Sequence, residues 1–164
     1  MSGGGGRLLF DECLPPPLVA RLAEFLGTEQ RERIVYKSLF DLAPSGTRDE
    51  DWIPLIKDQG WTVISADGAR KPNKGRGKKL PDLCAEFGVT LIVLSPRVQG
   101  RKLIDKTRTI ASVWDRIVEI ASDPIERGRR YMLEPLIGDD DIGLGRIVAR
   151  PDRRPAMGVP DEDR

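Results

Sequence analysis

Four short apolar runs, each separated from the next by enough chain for a helix, constrain this fold more than any other feature. The clearest is VTLIVLS at residues 89–95, followed by WTVIS at 61–65; RIVYKSL at 33–39 and Leu8-Leu9-Phe10 are weaker. β-Branched residues favour strands, and Leu8-Leu9-Phe10 has no polar face, as in a buried strand. The segments between them carry helical spacing. Leu18, Leu22, Phe25 and Leu26 share one face of a helix that starts within Pro15-Pro16-Pro17, and Gly27 is placed to end it. A second helix is expected from about residue 49 to Gln59, with Trp52, Leu55 and Ile56 inward. Asp49 or Asp51 is its expected cap, which keeps Pro54 near the first turn. A third runs from Pro81 to Phe87 and closes at Gly88. Ile110, Val113, Trp114, Ile117, Val118 and Ala121 then mark one strongly amphipathic helix from about Thr107 to Ala121.

Strands alternating with helices imply a parallel sheet with right-handed crossovers. The expected fold is α/β, a three-layer α/β/α sandwich around a mostly parallel sheet of four to five strands. Residues 7–125 make the domain in this reading, and 126–150 an extension packed on it, in which RYML and GRIVAR are extended. Residues 151–164 read as a disordered tail, and the glycines at 3–6 as a flexible lead-in. At 164 residues the chain is long enough for one domain with a proper core. No run of about 18 apolar residues suggests a membrane span. No apolar signal core precedes the first strand, so a cytoplasmic protein is expected.

There is no histidine. Histidine acid–base chemistry, Ser-His-Asp triads and histidine-bound zinc are therefore excluded. The two cysteines, Cys13 and Cys84, have no metal-type spacing and read as reduced thiols. Without a histidine to activate it, Cys13 is not expected to be a nucleophile. Chemistry at neutral pH is left to carboxylates, lysines, or a metal held by oxygen.

Carboxylates converge at one place. Asp11 and Asp67 each stand just past a strand, and in a parallel sheet all strands end at the same rim, where open α/β sheets bind ligands. Asp49 opens the helix before the third strand. That helix descends about 16 Å at 1.5 Å per residue, and the strand climbs back roughly 17–20 Å, so Asp49 returns to the rim. Clustered carboxylates repel unless a cation lies between them, and an all-oxygen cluster suits Mg²⁺ or Mn²⁺. Each acid also has a plain structural reading. Asp49 can be only a helix cap, and Asp67 before Gly68 can be turn chemistry. Glu12 is second choice beside Asp11; Glu50 and Asp51 read as a solvated helix start, and Asp139-Asp140-Asp141 as a water-facing loop.

LLFDECLPPPLVARLAEFLG and GTRDEDWIPLIKDQGWTVISADG resemble two blocks of the PIN-like domains related to VapC-type toxins. In those domains a strand ends in Asp-Glu-x-Leu-Pro before a helix, and a later strand ends in Thr/Ser-x-Asp. The resemblance covers roughly residues 7 to 70, and implies an α/β/α sandwich that cleaves RNA with Mg²⁺ or Mn²⁺, often as the toxin of a toxin–antitoxin pair. It would make Asp11, Asp49 and Asp67 metal ligands and give Ser65 the task of orienting a carboxylate or water. The family's further acid, two residues past the position of Asp67, is here Ala69. Glu12, Asp51 or Asp82 would have to replace it.

RKPNKGRGKK, at 70–79, places Arg70, Lys71, Lys74, Arg76, Lys78 and Lys79 directly after Asp67 with no acid among them. Such a run is often only a solvated loop, but beside an acidic rim it suits contact with phosphates. ERGRR at 126–130 and RIVARPDRR extend the basic surface or meet an acidic partner. The leading expectation is a metal-dependent endoribonuclease, a hydrolase of phosphodiester bonds. Its expected partners are RNA and a cognate antitoxin, with room for a homodimer. The alternative is a catalytically silent PIN-like module that binds nucleic acid or protein, which Ala69 favours. A phosphoacceptor receiver fits worse, because a long Lys-rich loop follows Asp67.

Overall fold

The computed structural model describes residues 6–66, 79–123, 127–136 and 143–150. β1 (Gly6–Phe10) leads through α1 (Pro16–Arg33) to β2 (Ile34–Ser38). A 3-10 turn (Leu39–Asp41) and α2 (Asp49–Ile56) lead to β3 (Trp61–Ser65), which is followed by α3 (Leu80–Glu86) and β4 (Thr90–Leu94). Three helices, α4 (Pro96–Gln99), α5 (Leu103–Ser112) and α6 (Trp114–Ser122), precede β5 (Arg130–Pro135) and β6 (Gly145–Arg150). The sheet order is β2-β1-β3-β4-β5-β6, parallel except for β6, which runs antiparallel to β5. RYML and GRIVAR are thus paired strands of the main sheet, which raises the expected four to five strands to six.

Alternate residues of the central strands face opposite layers. Leu8, Phe10, Ile64, Ile92 and Leu94 pack with Leu14 of the turn before α1, with Leu18 and Leu22 of α1, and with Ile110, Trp114 and Ile117. Leu9, Val63, Leu91 and Val93 pack with Trp52, Ile53 and Ile56 of α2 and Leu80, Leu83 and Cys84 of α3. The result is a three-layer α/β/α fold. β3 and β4 are buried at every position, as befits parallel strands covered on both faces. The first three crossovers share one hand. The β4–β5 connection advances in the same direction as β3–β4 but crosses the other face, through α4 to α6, and so has the opposite hand. Right-handed crossovers are the strong rule, and this connection departs from the hand the other three share. No helix among the described residues is long and apolar enough to cross a membrane.

Several expected boundaries move. α1 continues through Gly27 to Arg33. Gly costs about 1 kcal/mol inside a helix, and the Glu, Gln and Arg that follow are good helix formers. Leu18 and Leu22 are buried as expected; the Phe25 side chain lies outside the described part. α2 ends at Ile56 rather than Gln59, and Arg48, not Asp49 or Asp51, is its cap. Leu55 is exposed, and Ile53 takes its place inside. Pro54 sits within α2, where it cannot donate to the Glu50 carbonyl.

The single helix expected over 107–121 is two, broken at Val113. Thr107, Thr109 and Ser112 each turn a hydroxyl back onto a carbonyl of the preceding turn, at 2.8, 2.7 and 2.7 Å. Such back-bonding bends helices. Gly6 is no lead-in. It opens β1, and a Cβ there would lie 2.7 Å from the backbone carbon and oxygen of Ala121. Residues 151–164 lie outside the described part.

Candidate functional site

Four parallel strands end in a buried polar side chain: Ser38 on β2, Asp11 after β1, Ser65 on β3 and Ser95 after β4. A buried hydroxyl or carboxyl is costly unless hydrogen-bonded, and these four solve the problem in two ways. Ser38 accepts from Phe40 N–H and Ser95 from Val98 N–H, both at 3.3 Å, so each caps the turn that follows it. Ser65 instead donates its hydroxyl to Asp11 Oδ2 at 2.7 Å, across 54 positions of sequence. Asp11 is 7% exposed and Ser65 is fully buried.

That pair sits between β1 and β3. β1 sends its connection to β2 on one side, and β3 sends its own to β4 on the other. The chain therefore diverges here, which opens the crevice in which open α/β sheets bind ligands. The rest of the site is built around Asp11. Its Oδ1 accepts from Glu12 N–H at 2.7 Å. The Glu12 carboxylate accepts from Gly46 N–H at 2.7 Å, tying the exit of β1 to the loop before α2. Asp49, the first residue of α2, accepts from the indole N–H of the buried Trp52 at 3.0 Å, which fixes its side chain.

The carboxylates of Asp49 and Asp11 both act on the thiol of Cys84. Burial pushes that thiol upward most, Asp49 and then Asp11 add to it, and Arg130 opposes them. Cys84 is held neutral beneath the rim. Asp11, Asp49 and Ser65 thus gather at one end of the sheet, and Glu12 serves the scaffold there. Asp51 is exposed on the first turn of α2, and Asp82 is exposed on α3. Asp67, Ala69 and Arg70, Lys71, Lys74, Arg76 and Lys78 lie outside the described residues, as do Asp139, Asp140 and Asp141; Lys79 caps α3.

Cys13 is the residue that sequence reasoning set aside. Its Sγ lies 3.4 Å from Ser65 Oγ and 3.7 Å from Asp11 Oδ2, and it accepts from Ala66 N–H at 3.1 Å. Its place two residues past Asp11 was the available clue.

Oxygen donors of this kind suit Mg²⁺ or Mn²⁺, and Mg²⁺ commonly takes only one or two protein carboxylates with water completing its shell. Asp11 and Asp49 fit that need. Among the described residues no group of three or more His, Cys, Asp or Glu is placed to hold a metal ion. A family model described as PIN like domain matches residues 7–76, which spans β1 to β3 and most of the basic segment. No curated protein and no solved structure matches this chain.

Proposed function

We propose that this PIN-like chain is a metal-dependent endoribonuclease, and more narrowly the toxin of a toxin–antitoxin pair. The observation that carries the reading is the buried Ser65–Asp11 bond at the divergence of β1 and β3. Unlike the Ser38 and Ser95 bonds, it serves no local turn. In this reading Asp11, Asp49 and Asp67 hold Mg²⁺ or Mn²⁺, and Ser65 sets the direction of the Asp11 carboxylate. A divalent ion supplies positive charge for a phosphodiester transition state and acidifies water. Asp49 is steadied by Trp52. Arg70, Lys71, Lys74, Arg76, Lys78 and Lys79 take the RNA phosphates, as cations beside a metal site do. The matched PIN-like segment and the absence of histidine both agree with oxygen-held metal chemistry.

A second reading is a silent PIN-like binding module. It draws on Ala69 and on the lack of a three-residue ligand group among the described residues. Purified protein mixed with a pool of structured and single-stranded RNA, with Mn²⁺, Mg²⁺ or chelator, decides between them. The expected result is metal-dependent cutting that falls at least about a hundredfold in Asp11→Asn. RNA retained without cutting in either metal overturns the nuclease reading and leaves the module. The toxin reading further expects growth arrest on expression of the wild type and none with Asp11→Asn.

A further inference from the structure

The register of β1 and β3 pairs Phe10 with Ile64, and Asp11 N–H donates to the Ile64 carbonyl at 3.0 Å. A continued parallel ladder would next send Ala66 N–H to the Asp11 carbonyl. That N–H goes to Cys13 Sγ, while the Asp11 carbonyl accepts from Leu14 N–H at 2.9 Å. A side-chain sulfur stands where a backbone oxygen is due, at the point where the two strands part.

The protons along this contact chain all run one way. A backbone N–H only donates and a carboxylate only accepts. Cys13 accepts from Ala66, so its single proton turns toward Ser65 Oγ or Asp11 Oδ2. Ser65 then gives its hydroxyl proton to Asp11. Every donor in the chain points toward the Asp11 carboxylate, and hydrogen bonds aligned in series strengthen one another.

We propose that Cys13 is a positioning residue of the carboxylate site. Its thiol ends the β1–β3 ladder, fixes the backbone at Ala66, one residue before Asp67, and steadies the Ser65 hydroxyl on Asp11. Its value for metal binding rests on the reading of Asp11 as a ligand; its hold on Ala66 does not. Serine at position 13 keeps one donor and one acceptor, and alanine keeps neither.

Two measurements on full-length Cys13→Ala and Cys13→Ser separate the parts. The first is amide exchange at Ala66 by NMR, without metal. Cys13→Ala is expected to speed it about tenfold, the loss of one modest hydrogen bond, with Val63 and Ile64 unchanged and Cys13→Ser near wild type. Unaltered exchange at Ala66 in Cys13→Ala overturns the inference. The second is Mn²⁺ binding followed by electron paramagnetic resonance, without RNA. Cys13→Ala is expected to bind about tenfold more weakly, with Cys13→Ser again near wild type. Equal affinity in all three proteins overturns the positioning role. A wild type that binds no Mn²⁺ refutes the metal reading instead, and the Ala66 exchange then still decides whether the thiol holds the ladder end.

Discussion

The two ends of the sheet are finished by different means. At the carboxyl end, side chains do it: Ser38, Asp11, Ser65 and Ser95 are buried and hydrogen-bonded where four strands stop. At the amino end, glycine does it. Gly6 opens β1 against the backbone of Ala121, and Gly60, Gly88 and Gly128, all with positive φ, stand just before β3, β4 and β5. A residue without a Cβ accepts positive φ and close backbone approach at little cost, so that end turns tightly. The other end bears the desolvation of polar groups. Two of its four meet that need by local capping. The remaining pair meets it by joining two strands that diverge.

Substitutions can break this division. Gly6→Ala should have the largest effect, about 3 kcal/mol of lost stability, because the added methyl meets backbone that cannot step aside. Urea unfolding measures it, and Mn²⁺ affinity of the folded fraction should stay unchanged. If that affinity falls, the amino end is not architecture alone. Ser65→Ala is next. It should weaken Mn²⁺ binding about tenfold by titration, whereas Ser38→Ala and Ser95→Ala should leave it alone. Equal losses from all three serines would erase the distinction between cap and site. Gly128→Ala should be smallest, about 1 kcal/mol for a side chain forced into the left-handed region, read as a lower thermal midpoint with full metal affinity.

The central sheet was legible because β3 and β4 are apolar on both faces, a pattern that few other environments accept. The placing of Asp11 followed from strand polarity, since parallel strands must end together, whereas Ser65 came from the resemblance to PIN-like domains. What escaped depended on contacts with distant residues. Gly6 belongs to a glycine run in the sequence, and only the tertiary fold brings Ala121 against it. Leu55 and Ile53 are both apolar, and only the direction from which α2 meets the sheet selects between them. The break at Val113 lies inside a faultless apolar stripe, and its cause is three hydroxyls that bond backward. Cys13 was judged by its reactivity, although its work is to accept one backbone proton.

The reversed crossover has a consequence for synthesis. α6 lies across β1 and β3, so the strand that carries the candidate site to its rim is covered by a helix made much later. At about 5–20 residues per second, α6 follows β1 out of the ribosome by roughly 5 to 20 s. Through that interval Leu8 and Phe10 lack the cover of Ile117 and Trp114 that they have in the finished fold. The residues read as chemistry are translated first and secured last, so a nascent chain carries them before it can present them as a formed centre.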